Sequence, residues 1–260
     1  MIKIQMIMVF LLLCLTSSSI IYGADPSIND IIDTFSKIET VFKSYSFYSN
    51  LIQYQNNQKK DEATFVLTVD NENSLALYLS PLVNKGKIVL QKDQSYYLYF
   101  PKPNNYIRIS GGSNLFGNVS HGDLLRPPLL KYYEIKEYKI LQDDKGEEIY
   151  VISFTQKDEV TNLTYYQKVI YFNRNKQRIE AIESFSRTGV MLGRIENLEF
   201  EVINGINFPV KTKIVDIRNR DVYTIQTNSQ VKITQLPPKF FTPGYLSNVA
   251  KYLKLKLGVK

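Results

Sequence analysis

The chain has 260 residues, 44% of them hydrophobic and 22% charged, a balance that fits a globular protein with a sizeable core. Its formal charge is +7, but Lys and Arg are scattered along the chain instead of forming a stripe. The surplus therefore reads as solvated strand faces or weak attraction to anionic head groups, not as a nucleic-acid footprint, and one His with one Cys leaves no material for a His-rich metal site or a Cys/His catalytic pair.

Lys3 precedes an apolar run over residues 6–15, then polar residues 16–19 and the small pair Gly23-Ala24. The run is too short for a spanning helix and reads as the core of a secretory signal peptide over residues 1–23, with residues 24–260 as one domain. Cleavage after Gly23 is favoured because a cut after Ala24 would place the bulky Tyr22 three residues before the bond. Cys14 follows Leu13 inside the apolar core, not a small residue, so lipidation there is not expected. Its removal leaves a mature chain without disulfides or a thiol nucleophile.

Ile28, Ile31, Ile32, Phe35, Ile38, Val41 and Phe42 recur at helical spacing, with Ser27 and Asp30 placed as N-cap and N3 residues. From about residue 63 the pattern changes to strands. These are expected over 63–69, 74–79, 87–91, 96–100, 106–110, 133–141, 148–155, 165–172, 178–185, 191–203, 206–217 and 222–233. Asn204-Gly205 is a two-residue hairpin signal, and residues 143–146, 173–176 and 218–221 carry further turn chemistry. Short connections imply an antiparallel meander. In the 191–203 strand, Leu198, Phe200 and Val202 alternate with Asn197, Glu199 and Glu201, which suggests one dry and one wet face. So large a sheet curls, and its apolar concave face needs a cover. The N-terminal helix and a segment near residues 120–130 are the available plugs. Beyond Pro237-Pro238, Leu246, Val249, Ala250 and Leu253 fit a short amphipathic helix whose polar side carries Lys251, Lys254, Lys256 and Lys260, which reads equally as a solvated helix end or as a surface for transient membrane contact.

Catalytic patterns are missing. His121 lacks a G-x-S-x-G nucleophile elbow nearby, Gly111-Gly112-Ser113 and Gly117 form no phosphate-binding loop, and Glu180, Glu183, Glu196, Glu199 and Glu201 read as solvated strand faces. The sequence is therefore read as a non-enzyme with no cofactor.

The stretch from Leu75 to Leu125 carries a resemblance. It runs Leu75-Ala-Leu-Tyr-Leu-Ser-Pro81, Lys85-Gly86-Lys-Ile-Val-Leu90, Asp93, Tyr96-Tyr-Leu-Tyr-Phe-Pro101, Tyr106-Ile-Arg108-Ile-Ser110, then Phe116-Gly117 with Ser120 and Asp123-Leu124. This order and spacing resemble the outer-membrane lipoprotein-sorting protein family, the LolA-like periplasmic lipoprotein carriers. The strands over 166–185, the 202–210 hairpin and Leu236-Pro-Pro-Lys-Phe-Phe-Thr242 agree, so the resemblance spans roughly residues 27–246. In the lid segment Asn118 stands where Ser-Asp is usual and Gly122 replaces a Glu. The Arg-Pro pair that follows the first strands of well-studied carriers is absent near Leu79-Ser80-Pro81, which puts lid release by that Arg in doubt.

The resemblance implies an unclosed antiparallel β-barrel with an N-terminal helix and a helical lid over the apolar concave face. It further implies a periplasmic carrier that moves the acyl chains of lipoproteins or phospholipids between inner and outer membrane, with an inner-membrane exporter and an outer-membrane acceptor as partners. Since each exposed methylene costs about 0.8 kcal/mol, acyl chains need cover in an aqueous gap. The expected cavity lining is Leu75, Leu77, Leu79, Tyr97, Tyr99, Phe116, Leu124, Leu125, Leu198, Phe200 and Val202. Two other readings stay open: a lipid- or lipoprotein-sensing regulator on the same fold, which would form a stable protein complex, and an envelope hydrolase, which would depend on carboxylates or His121.

Overall fold

The apolar stripe of the N-terminal segment folds as helix α1 (Ile28–Val41), which buries Ile31 and Phe35 and leaves Asp30, Ile32 and Asp33 exposed. The computed structural model describes residues 28–257 apart from 42, 71, 162, 218–220, 234 and 235. The signal-peptide, cleavage and Cys14 expectations, and the Ser27 cap, lie outside the described residues.

The strands follow as β1 (Ser44–Gln55), β2 (Gln58–Asp70), β3 (Asn73–Ser80), β4 (Ile88–Lys92), β5 (Ser95–Phe100), β6 (Asn105–Ile109), β7 (Asn114–Phe116) and β8 (Val119–Ser120). Two single-turn helices come next, α2 (His121–Leu124) and α3 (Leu129–Tyr132). Then come β9 (Tyr133–Gln142), β10 (Glu148–Gln156), β11 (Gln167–Asn173), β12 (Arg178–Phe185), β13 (Met191–Ile203), β14 (Ile206–Asp216) and β15 (Val222–Ile233). Two 3-10 turns (Pro238–Phe241 and Pro243–Tyr245) lead into α4 (Leu246–Leu257).

Thirteen strands form one antiparallel sheet in the order β6-β5-β4-β3-β2-β1-β15-β14-β13-β12-β11-β10-β9. It is two meanders joined by β1 against β15, from Gln55↔Val222 to Tyr45↔Ile233. The edges β6 and β9 do not pair with each other, so the curved sheet is an unclosed barrel, as the sequence reading expected. At the β13–β14 turn, Asn204 and Gly205 both take positive φ (51° and 78°), the geometry a two-residue type I′ hairpin demands.

The sheet is apolar on its inner face, where side chains from both wings meet: Phe47, Leu51, Phe65, Leu67, Tyr78, Val89, Tyr150, Ile152, Phe154, Ile170, Phe172 and Ile214. Helix α1 plugs one end, with Phe35 set between Phe154 (5.6 Å between ring centres) and Phe172 (5.5 Å). The β7–α3 segment covers the other part with Leu115, Phe116, Val119, Leu124 and Leu125. Strands β2–β5 are dry on their outer face as well. There Val66, Leu75, Leu77, Ile88, Leu90 and Tyr99 pack under Leu236, Phe240, Phe241, Leu246, Val249 and Leu253 of the C-terminal segment. This explains the unbroken apolar runs of β3 and β4, which a one-sided sheet would not need.

Candidate functional site

The candidate site is the inner hollow beneath the lid, residues 114–132. The lid is folded from its own sequence. Ser120 and Asp123 make a capping box on α2: Asp123 Oδ2 accepts from Ser120 N (3.0 Å) and Ser120 Oγ (2.8 Å), and Ser120 Oγ accepts from Asp123 N (3.1 Å). Sheet tyrosines then tie the lid down. Tyr78 OH donates to Leu115 O (2.8 Å), Tyr96 OH to Leu125 O (3.3 Å), and Tyr165 OH to Asp123 Oδ1 (2.6 Å). Burial holds all three phenols above their ordinary value, Tyr96 at about 12, so they remain donors at physiological pH.

The two departures from the lid pattern have physical reasons. A Cβ on Gly122 would stand 2.4 Å from Thr164 Oγ1 and 2.9 Å from Thr164 Cβ, so the β10–β11 loop lies directly on the lid backbone. A larger residue there would have to displace it. Asn118 is anchored in the fold: its Nδ2 donates to Ile214 O (3.1 Å) and its Oδ1 accepts from Thr224 Oγ1 (2.6 Å). His121 is buried, its Nδ1 donating to Ser113 O (2.7 Å), and burial holds its pKa below the usual value. That is a loop-anchoring role. Among the described residues no group of three His, Cys, Asp or Glu side chains is placed to hold a metal ion.

The expected lining residues do not share one hollow. Phe116, Leu124 and Leu125 do meet in the inner cluster. Leu75, Leu77 and Tyr99 lie in the outer cluster instead, with Leu79 and Tyr97 packed at its margin. Their strand neighbours Ala76, Tyr78, Tyr96 and Leu98 are the inward ones. Leu198 (48% exposed) and Val202 (71%) are solvated, and Phe200 carries the Arg178 guanidinium 4.1 Å from its ring centre. Ile195 and Ile203, of opposite phase, hold the inner face of β13, and Asn197 turns inward to donate to Ile179 O (2.7 Å) and accept from Thr212 Oγ1 (3.0 Å). The C-terminal helix spends its apolar face on the sheet, leaving Lys251 exposed.

Sequence reading missed a set of charges inside this apolar space. Lys168 of β11 shares the inward phase with Ile170 and Phe172 and is only 6% exposed. Its ammonium sits over the rings of Tyr133 (5.3 Å) and Tyr165 (5.9 Å). Burial, reinforced by the nearby Arg126 guanidinium, pushes its pKa down to about 8. Arg126 itself donates from Nε to Asp123 O (2.9 Å), and desolvation lowers its pKa too. The available signal was a lysine in phase with two inward hydrophobics. Two openings lie at the margins of the inner face, neither lined by Lys168 or Arg126: a cleft of about 390 Å³ under α1, where Ile31, Phe35, Tyr150 and Phe172 stand beside Asp30, Asp33, Lys37 and Arg174, and a space of about 90 Å³ against Ser120, Asp123, Tyr165 and Ile214.

This open antiparallel half-barrel is similar in fold to solved structures of the LolA superfamily and of a lipoprotein-sorting domain. A LolA superfamily protein of Nitrosomonas europaea superposes with a TM-score of 0.74 at 23% identity, covering 84% of this chain and 98% of that one. A putative outer membrane lipoprotein-sorting protein domain from Vibrio parahaemolyticus gives 0.68 at 16% identity, covering 82% and 97%. A DUF1329 family protein from Desulfovibrio piger gives 0.70 at 15% identity, covering 84% and 98%. These likenesses define the fold. The family model that matches, over residues 70–248, carries the description "Uncharacterized protein", and the chain belongs to that family. No curated protein matches the chain.

Proposed function

We propose that this protein is a periplasmic carrier that takes the acyl chains of a lipoprotein or lipid into the inner hollow and moves them between the inner and outer membranes. The observation that carries this reading is the cover of the apolar inner face. It consists of two separate pieces, α1 and the 114–132 lid, whose β7 and β8 pair only with each other, and not of a large second sheet. Such pieces can leave and be replaced by acyl chains of similar polarity, so apolar area stays out of water throughout the exchange. The sorting-protein neighbours share this scaffold. An inner-membrane exporter and an outer-membrane acceptor are the partners such transfer needs. The test is mass spectrometry of organic extracts from the exported protein, paired with titration of a fluorescent acyl probe into the stripped protein. Co-purified acylated species and saturable probe binding are expected. An extract without acyl lipid together with no probe binding rejects the carrier. Stoichiometric recovery of one membrane protein without lipid favours the sensing regulator.

A further inference from the structure

The interior holds more positive charge than its own acids neutralise. Lys168 of β11 and Arg126 of the lid bring two cations close together, and Asp123 is the acid facing them. Both Asp123 oxygens are already engaged, Oδ2 by Ser120 and Oδ1 by Tyr165. Among the described residues the Lys168 ammonium has aromatic faces as neighbours, Tyr133 and Tyr165, and no hydrogen-bond acceptor. The Tyr133 hydroxyl is directed to Tyr165 O, to which it donates (2.8 Å), and no hydrogen bond joins it to Lys168 among the described residues. Lys168 is 6% exposed yet is not among the fully enclosed polar atoms without a partner, so its ammonium keeps contact with solvent and has donors free for an acceptor that arrives later.

We propose that Lys168 and Arg126 form an anion-binding pair that receives the acidic head, a carboxylate or a phosphate monoester or diester, of an acyl lipid whose chains lie in the inner hollow. The inference rests on the carrier reading and names the cargo class: acidic acyl lipids, in preference to neutral ones of equal chain length. An apolar wall continues along β11 from Lys168 through Ile170 to Phe172, which also lines the cleft under α1, and a chain laid along it takes the place of α1 or lid side chains. Charge at one end and a dry wall leading away from it are the two features an acidic amphiphile matches. The Lys168 pKa of about 8 leaves the ammonium largely charged at neutral pH, with Asp123, Arg126, Tyr133 and Tyr165 as the titratable or charged groups that face it.

The experiment compares lipids with the same single acyl chain and different heads, namely a free fatty acid, a lysophosphatidylglycerol, a lysophosphatidylcholine and a monoacylglycerol, each displacing a fluorescent acyl probe. Wild type should bind the two anionic lipids at least about tenfold more tightly than the monoacylglycerol, the low end for hydrogen bonds to a charged group. Lys168→Met should bring that ratio to within about twofold while monoacylglycerol affinity holds, and Arg126→Gln should lower it by a smaller factor. In wild type the preference should fade as pH rises through about 8. A preference for only one anionic head supports the proposal and identifies the source. Equal binding of all four lipids overturns the anion pair and leaves the carrier standing, whereas binding of none overturns both. Displacement of the fatty acid by millimolar inorganic phosphate would overturn the acyl-lipid assignment in favour of a free-anion site. If Lys168→Met melts early, Lys168→Gln provides the same comparison.

Discussion

Replacing Lys168 with Met should make the empty protein more stable. Met keeps the apolar stem and nearly the same volume, so the packing against Tyr133 and Tyr165 survives while the charge is removed. Burial and Arg126 lower the Lys168 pKa from 10.5 to about 8, and at 1.36 kcal/mol per pKa unit that gap corresponds to roughly 3 kcal/mol. Lost cation–aromatic attraction offsets some of this, so the expected gain is about 1–3 kcal/mol at pH 7. The direction with pH follows from proton counts. Between about pH 8 and 10.5 the folded protein has released the Lys168 proton and the unfolded chain still holds it, so wild type gains stability as pH rises through that window. The advantage of Lys168→Met should therefore be full below pH 8 and nearly gone by pH 10.5. Tyr45 and Tyr96, pushed up to about 12, act in the opposite sense above pH 10 in both proteins and cancel in the difference. Urea unfolding at a series of pH values measures it as a shift in midpoint at unchanged slope. A variant less stable than wild type at pH 7, or an advantage independent of pH, would refute the reasoning, since either would mean that the ammonium is already satisfied in the empty fold.

The lid and the sheet ends give two further predictions. Gly122→Ala should destabilise the protein by about 1–3 kcal/mol through overlap with Thr164, and Thr164→Gly should recover much of the loss in a double-mutant cycle; additive losses would show that the loop does not press on the lid. Leu82 and Val83 are 85% and 79% exposed at the β3–β4 turn beside Lys85 and Lys87, and the proposed carrier would touch a bilayer through them. Changing both to Asp should weaken flotation with anionic vesicles and leave the unfolding midpoint within about 0.5 kcal/mol of wild type; unchanged flotation would rule this turn out as the contact.

Most strands were legible because their turns were. Asn204-Gly205 and the 173–176 and 143–146 turns fixed local hairpins, and the 178–185, 191–203 and 222–233 strands coincide with β12, β13 and β15. Strand β1 was not legible. Its sequence, Ser-Tyr-Ser-Phe-Tyr-Ser-Asn-Leu-Ile-Gln-Tyr-Gln, is polar for a central strand, and it buries Ser46 against the Thr68 hydroxyl (3.1 Å) and Ser49 by accepting from Gln226 Nε2 (3.1 Å). Its partnership with β15 joins opposite ends of the chain, and no turn announces it. The site was harder still. Alternation identifies a dry face only when the other face is wet, and in β3 both phases are dry: Leu75 and Leu77 point under the C-terminal segment, Ala76 and Tyr78 into the hollow. Choosing the larger residues chose the wrong side. In β13 the hairpin end is solvated on both faces, and bulges at Asn197/Glu199 and Glu199/Phe200 disturb the register, so Leu198 and Val202 alternate with glutamates without facing a core.

The same two-sided packing resolves a difficulty for any carrier that stores its cargo in its own core. The inner cluster is filled by α1, the lid and the sheet, so admitting an acyl chain means removing residues that support the fold. In a one-sided sheet that would leave β2–β6 with no apolar support. Here the outer cluster, from Leu75 and Leu90 to Phe241 and Leu253, contains no lid residue and no residue of α1 among the described residues. That wing keeps a complete packed face while its inner side is being exchanged. At the other wing, the outer face of β11–β13 is held by charge pairs, Arg194 with Glu183 and Glu196 (2.8 Å to the latter) and Arg178 with Glu180 (2.9 Å), none of which involves the lid. In the proposed carrier, opening would thereby be separate from unfolding: a lifting lid would break the tyrosine latches and the Asp123 contacts and expose inner apolar area for cargo to cover. A hollow built this way can be emptied and refilled because the sheet around it does not depend on what fills it.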